Sequence, residues 1–225
     1  MTDSLGRAPR SEPPLTRAQT LYELGRYADA VPAVAQAISD DPRNALAWCL
    51  MSNAQLGNDR PVAALEAARA AASLNPSVEE PHRLASVALG RLGRDEEAVE
   101  AAVEATRREP GSWEAHARLA HCLAALRQRL SDARHAAERA LELGPEHAGP
   151  HLAVGAVALA AGRRSDAAAA FCAALSVEPQ CAEAHNQLAN VQDLGSRRGL
   201  SSVLGRIGAL APRLGRGAAR SAEAD

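Results

Sequence analysis

Residues 81–110 read PHRLASVALGRLGRDEEAVEAAVEATRREP, and residues 150–179 read PHLAVGAVALAAGRRSDAAAAFCAALSVEP. The two stretches have equal length, open on Pro-His and close on Glu-Pro. Each holds two apolar runs at helical spacing, divided by Gly93-Arg94-Asp95 in the first and by Gly162-Arg163-Arg164-Ser165 in the second. Glycine stops one helix, and Asp95 in the first turn is placed to cap the next. In each second run two alanines lie seven apart, Ala98 with Ala105 and Ala167 with Ala174, on one helix face where a neighbouring backbone can approach closely. A proline five residues further on ends that helix. The spacing predicts helices over Pro81–Leu92 and Glu96–Arg108, then over Pro150–Ala161 and Asp166–Val177, with proline in a first turn that tolerates it.

The same register extends outward from these stretches. Pro42, Pro76, Pro110, Pro145 and Pro179 recur at intervals of 34, 34, 35 and 34 residues. Ala37, Ala71, Ala105, Ala140 and Ala174 precede them, and Ala30, Ala64, Ala98, Ala133 and Ala167 lie seven residues earlier each time. A fixed period of this length is the signature of a stacked helical repeat. The one 35-residue unit places its extra residue within Ala124 to Asp132, where a local bulge can absorb it. Hydrophobic residues make up 47% of the 225-residue chain and aromatics only 2%, so Ala, Leu and Val must fill the core and the helices must pack closely. One elongated domain is expected, stabilised unit by unit.

On this period and its small residues the chain resembles the tetratricopeptide repeat (TPR) family, over about Leu15 to Gly195. First helices carry small residues at Ala18, Ser52, Ser86, Ala120, Gly155 and Ala189. The family's aromatic near the start of the first helix is present as Trp48, and later units carry His82, His116, His151 and His185 there. The resemblance implies an all-α fold, a right-handed superhelical α-solenoid of helix-turn-helix repeats, with about five full repeats and the first helix of a sixth over 15–195. Residues 1–14, rich in proline and charge, read as a disordered lead-in and not as a signal peptide. Pro32 implies that the second helix of the first unit starts late. Leu200, Val203, Leu204, Ile207 and Leu210 predict a capping helix within 196–214, followed by a disordered tail over 215–225. The arginines around that apolar stripe leave a peripheral membrane adaptor as the alternative reading.

Several function classes are set aside by chemistry. The formal net charge is −2. An edge row of Arg26, Arg60, Arg94, Arg163 and Arg197 could track a phosphate backbone, but Asp29, Asp59, Asp95, Glu96, Glu97 and Asp166 stand beside it and are expected to neutralise it. No nucleic-acid interface is expected. The histidine ladder places one ring per unit, on the order of 15–20 Å apart, whereas metal ligands converge within about 2.1 Å of one ion. These histidines are expected to be structural, and no cofactor or metal is expected. Cys49, Cys122, Cys172 and Cys181 form no CxxC pair and fall among alanines and leucines, which suits a reducing cytoplasm. There is no GxSxG, phosphate-cradling glycine loop or HExxH, so no enzyme is expected. The arginine-only, alanine-rich composition points to a GC-rich, bacterial coding sequence.

What remains is a protein-interaction scaffold, monomeric or weakly self-associating, that takes a peptide or helix of a partner in its concave groove. In the family that groove is lined mainly by the first helix of each unit. The resemblance places Leu50, Asn53, Arg83, Val87, Arg118, His121, Leu152, Leu159, Asn186 and Asn190 there. Asn53 and Arg118 match two places of the five-residue carboxylate clamp of some TPR cochaperones, but Cys49, Leu84 and Glu114 occupy the others. Arg83 and Arg118 are expected to anchor an acidic or C-terminal peptide, with no acid at helical spacing cancelling Arg83.

Overall fold

A computed structural model describes residues 13–127 and 129–191. Helices α1 (Pro14–Glu23), α3 (Ala45–Gly57), α5 (Glu79–Arg91), α7 (Trp113–Leu126) and α9 (Ala148–Ala160) alternate with α2 (Tyr27–Asp40), α4 (Pro61–Leu74), α6 (Asp95–Arg108), α8 (Leu130–Leu143) and α10 (Arg164–Val177). Residues 182–191 form the first helix of a sixth unit. The architecture is the all-α repeat solenoid expected from the period. The expected capping helix, the terminal tail and residues 1–12 of the lead-in lie outside the described residues.

Each odd-numbered helix packs on the even-numbered helix that follows it, and from α1 to α9 each also packs on the next odd-numbered helix. Helices α2, α4, α6 and α8 pack on both odd neighbours. Odd helices therefore approach one another directly and line the shorter, inner side of the stack; even helices are splayed on the outer side. The repeated alanines make this packing tight. All of both sets are buried, from Ala30 and Ala37 to Ala167 and Ala174. Ser52, at the small-residue position of α3, donates to the Ala64 carbonyl of α4 at 2.9 Å, a reach that needs two small side chains. At the equivalent Gly155 a β-carbon would overlap the Phe171 ring, so only glycine fits.

The turn inside each unit uses one left-handed residue, at Gly25, Asp59, Gly93, Arg127 and Gly162. Glycine reaches this conformation without strain, whereas Asp59 and Arg127 adopt it at φ 55°. The next helix then starts from an arginine: Arg26, Arg60, Arg94, Arg129 and Arg163 are the N-caps of α2, α4, α6, α8 and α10. The extra residue of the 35-residue unit falls between Arg127 and Arg129, and α7 and α8 stay packed across it.

Three expectations about elements are corrected. Helix α5 starts at Glu79, two residues before Pro81, and α9 starts at Ala148, two before Pro150. Helix α2 runs unbroken from Tyr27 through Pro32, so it does not start late. Asp95 makes no capping bond; it is the first residue of α6. Two core clusters follow the stack, one from α3 to α9 and one joining α9, α10 and residues 182–191.

Candidate functional site

The inner surface is built from side chains that the odd helices do not bury in those clusters. Leu50 and Asn53 on α3 are half-buried, and Val87 on α5 and Leu159 on α9 are half-buried against the core. Asn186 and Asn190 are on the last described helix, where Asn190 is exposed. Leu152 departs from expectation. It is 7% exposed and belongs to the α9–α10 cluster, so it serves packing and not a ligand.

The two expected arginine anchors are already engaged. Arg83 Nε donates to Glu79 Oε1 at 2.8 Å, one helical turn back, and Glu79 is only 7% exposed. An acid at helical spacing does cancel Arg83. Burial raises the Glu79 carboxyl above its usual value; the charge and hydrogen bond of Arg83 partly oppose this, and Glu114 and Glu109 add to it. Arg118 reaches from α7 to α5, where Nε donates to Ser86 Oγ at 3.0 Å and Nη2 to the Ser86 carbonyl at 2.9 Å. Gly90 makes the room, since a β-carbon there would lie 2.7 Å from Arg118 Nη2. Arg91 behaves alike, donating to the Leu56 carbonyl at the end of α3 at 2.6 Å with Asp59 at 3.7 Å. These guanidinium groups join one unit to its neighbour.

His121 lies one turn beyond Arg118. It keeps some solvent contact, yet its ring sits among protein atoms; that desolvation, with Arg118 as a second cause, pushes its pKa down to about 4. At neutral pH it is an uncharged imidazole that can donate from one nitrogen and accept at the other. Cys49, 5% exposed on α3, has its thiol pushed up to about 12, chiefly by burial and then by Glu80. It is no nucleophile. Cys122 is likewise buried, whereas Cys172 is exposed, against the expectation that all four cysteines act as core hydrophobes.

The histidine ladder has the structural role expected of it. Trp48 Nε1 donates to the Pro42 carbonyl at 3.0 Å. His82, His116, His151 and His185 place Nε2 at 3.4, 3.0, 2.9 and 2.9 Å from the carbonyls of Pro76, Pro110, Pro145 and Pro179. A carbonyl only accepts, so Nε2 carries the proton. Each ring ties the start of an inner helix to the proline turn before it. Among the described residues no group of three His, Cys, Asp or Glu could hold a metal ion.

Of the expected edge row, Arg26, Arg94 and Arg163 are paired, as is Arg129, whereas among the described residues Arg60 makes no ion pair with Asp59, which lies 3.7 Å from Arg91 instead, and Arg197 lies outside them. Arg26 meets Asp29 at 2.7 Å, Arg94 meets Glu97 at 2.5 Å, Arg129 meets Asp132 at 2.7 Å and Arg163 meets Asp166 at 3.3 Å. Each acid stands three residues after the N-cap, where it complements the helix dipole as well. A separate cleft of about 320 Å³ opens among α4, α5 and α6 over Leu65, Ala68 and Leu89, with Arg69, Glu97 and Glu100 among its lining residues. No helix of the described residues is long and apolar enough to cross a membrane.

The sequence reading does not identify the half-buried Glu80, nor the buried Glu79 and Ser86 that hold Arg83 and Arg118. Glu79 and Glu80 precede Pro81 and so fall outside the predicted helix, and the register marks Ser86 only as a small packing residue.

The family profile described as tetratricopeptide repeat matches residues 15–79, 84–148 and 152–197. No curated protein sequence matches the chain. Among solved structures, TTC0263, a thermophilic TPR protein of Thermus thermophilus, is similar at 23% identity with a TM-score of 0.71, covering 80% of this chain and 97% of its own. PilW, a type IV pilus biogenesis factor, matches at 20% identity and a TM-score of 0.62, with 80% and 91% covered. YrrB, described as a TPR protein with an unusual peptide-binding site, matches at 18% identity and a TM-score of 0.52, with 77% and 89% covered.

Proposed function

Starting from the fact that this chain belongs to the tetratricopeptide repeat family, we propose that it is a non-enzymatic scaffold holding an extended peptide of a partner protein on its inner surface. The observation that carries the reading is the state of the polar groups there. Asn53, His121, Asn186 and Asn190 stand on three of the inner helices, and among the described residues their side chains make no hydrogen bond. An extended main chain presents donors and acceptors along its length, which amides and a neutral imidazole can match in either sense. Leu50, Val87 and Leu159 between them offer apolar contact for its side chains. The peptide-binding site described for YrrB supports the kind of ligand. The reading places the protein in the cytoplasm, in keeping with its unpaired cysteines.

The test is affinity capture from lysate with the full chain, followed by hydrogen exchange of the complex formed with the captured partner. Protection is expected along α3, α5, α7 and α9, and Asn53→Arg with Asn190→Arg should abolish capture. Protection confined to α4, α6, α8 and α10 would overturn the groove.

A further inference from the structure

The helix over 182–191 is exposed at a place where the other inner helices are buried. Ala189 stands at the small-residue position whose counterparts Ala18, Ser52, Ser86, Ala120 and Gly155 are all buried, yet it is exposed. That position meets the second helix of its own unit. Ser52 donates to the Ala64 carbonyl of α4 at 2.9 Å, and a β-carbon at Gly155 would overlap the Phe171 ring of α10. Another side of the same helix is seated, since Ala184 and Val191 are buried, and Leu188 half-buried, in the cluster with α9 and α10. The open face is therefore the one that takes a second helix, and the chain runs on directly from residue 191.

The sequence that follows has the spacing of such a helix. Gly195 stands 33 residues after the turn glycine Gly162, and Pro212 stands 33 after Pro179, the proline beyond α10. Turn glycine and proline are thus 17 residues apart in both places. On that alignment Leu200, Val203, Leu204 and Ile207 fall at the places of Ala167, Ala170, Phe171 and Ala174, the buried residues of α10. Arg198 and Ser202 fall at those of the exposed Ser165 and Ala169. The larger side chains also suit the end of a stack. Helices α2, α4, α6 and α8 are wedged between two inner helices, and their alanines admit both. A last second helix meets only one, which leaves room for Leu and Ile at alanine positions.

We propose that residues 196–211 dock on the Ala189 face of the 182–191 helix as the second helix of the sixth unit. The occupant is a segment of this chain, and the apolar stripe that could otherwise meet a membrane is spent on closing the stack. Docked there, it braces the last inner helix from the outer side and leaves Asn186 and Asn190 open.

Hydrogen exchange of the full chain at two protein concentrations, with and without phosphatidylglycerol vesicles, tests this. Amides within 196–211 should exchange at least about tenfold more slowly than in the urea-unfolded chain, equally at both concentrations and without vesicles. Ala189→Glu, and separately Leu204→Glu with Ile207→Glu, should each remove that protection and loosen 182–191 while α3 to α8 stay unchanged. Protection that appears only with vesicles would assign the segment to a membrane, and protection that grows with protein concentration would assign it to a second copy. Either result overturns the proposal, as does protection that survives in either variant or no protection at all. The groove reading stands on α3 to α9 and is not touched by these outcomes.

Discussion

Arg118 on α7 donates through Nε and Nη2 to the hydroxyl and carbonyl of Ser86 on α5, at 3.0 and 2.9 Å. Ser86 is fully buried and its hydroxyl in turn donates to the Arg83 carbonyl at 2.7 Å, so one side chain from the fourth unit holds the middle of the third unit's inner helix. The contact fixes how α5 and α7 lie against each other, and hence the shape of the inner surface there.

Removing that contact should cost stability. Arg118→Met keeps the aliphatic stem but loses two charge-assisted bonds, and a destabilisation of about 1–3 kcal/mol is expected in urea unfolding. Arg118→Lys should recover only part, because an ammonium group lacks the planar fork that meets hydroxyl and carbonyl together. Equal stability of wild type and Arg118→Met would show that the joint is not held there.

The histidine ladder gives a sharper test, because Trp48 shows what the position requires. His116→Phe keeps a ring but has no N–H for the Pro110 carbonyl, and should lose about 0.5–1.5 kcal/mol. His116→Trp restores the donor and should recover most of that loss. Added zinc should leave the melting temperature unchanged, since each ring serves its own turn. A zinc-dependent rise lost in His116→Phe would contradict this.

The period, the alanine register and the proline turns made the fold legible, because each is a local property repeated at fixed spacing. The chemistry of the groove was less so. Glu79 stands four residues before Arg83 in the sequence, but a helix start placed at Pro81 left it outside the helix and hid the pair. The Arg118–Ser86 contact joins residues in different units and depends on the missing side chain at Gly90. Register alone places Leu152 in the groove, whereas it packs in the cluster with Phe171 of α10. Asp59 and Arg127 occupy left-handed turn positions that glycines marked elsewhere, so only the three glycine turns announced themselves.

Overpacking the alanine register should be costly in proportion to burial. Ala98 and Ala167 are 1% and 0% exposed at the contact between paired helices, so Ala98→Leu or Ala167→Leu should destabilise by about 1–3 kcal/mol. Ala35→Leu, on the exposed side of α2, should change stability by less than about 0.5 kcal/mol. Thermal melting of the three variants checks the register directly. Identical melting temperatures would mean that the helix faces are assigned wrongly.

His121 sets the pH dependence expected of the folded chain. Burial, and then Arg118, holds its pKa at about 4 against an ordinary 6.5, so the folded state favours the neutral imidazole. That contribution is fully present above about pH 6.5 and is lost as pH falls toward about 4, because the unfolded chain takes up the proton first. At about 1.4 kcal/mol per pH unit of displacement, and with some solvent still reaching the ring, the loss should be about 1–3 kcal/mol. Glu79 acts in the opposite sense: its raised carboxyl favours the protonated folded state, giving stability at low pH that fades as pH rises through its folded value. Wild-type stability in acid is therefore a difference of two trends, and His121→Gln separates them by removing only the first. Urea unfolding at pH 7, 6, 5 and 4 should show the variant losing less stability than wild type between pH 6.5 and 4, with peptide binding by wild type flat across pH 6.5–8. If the two stability curves run parallel, the imidazole is not desolvated in the fold and its part in the groove must be redrawn.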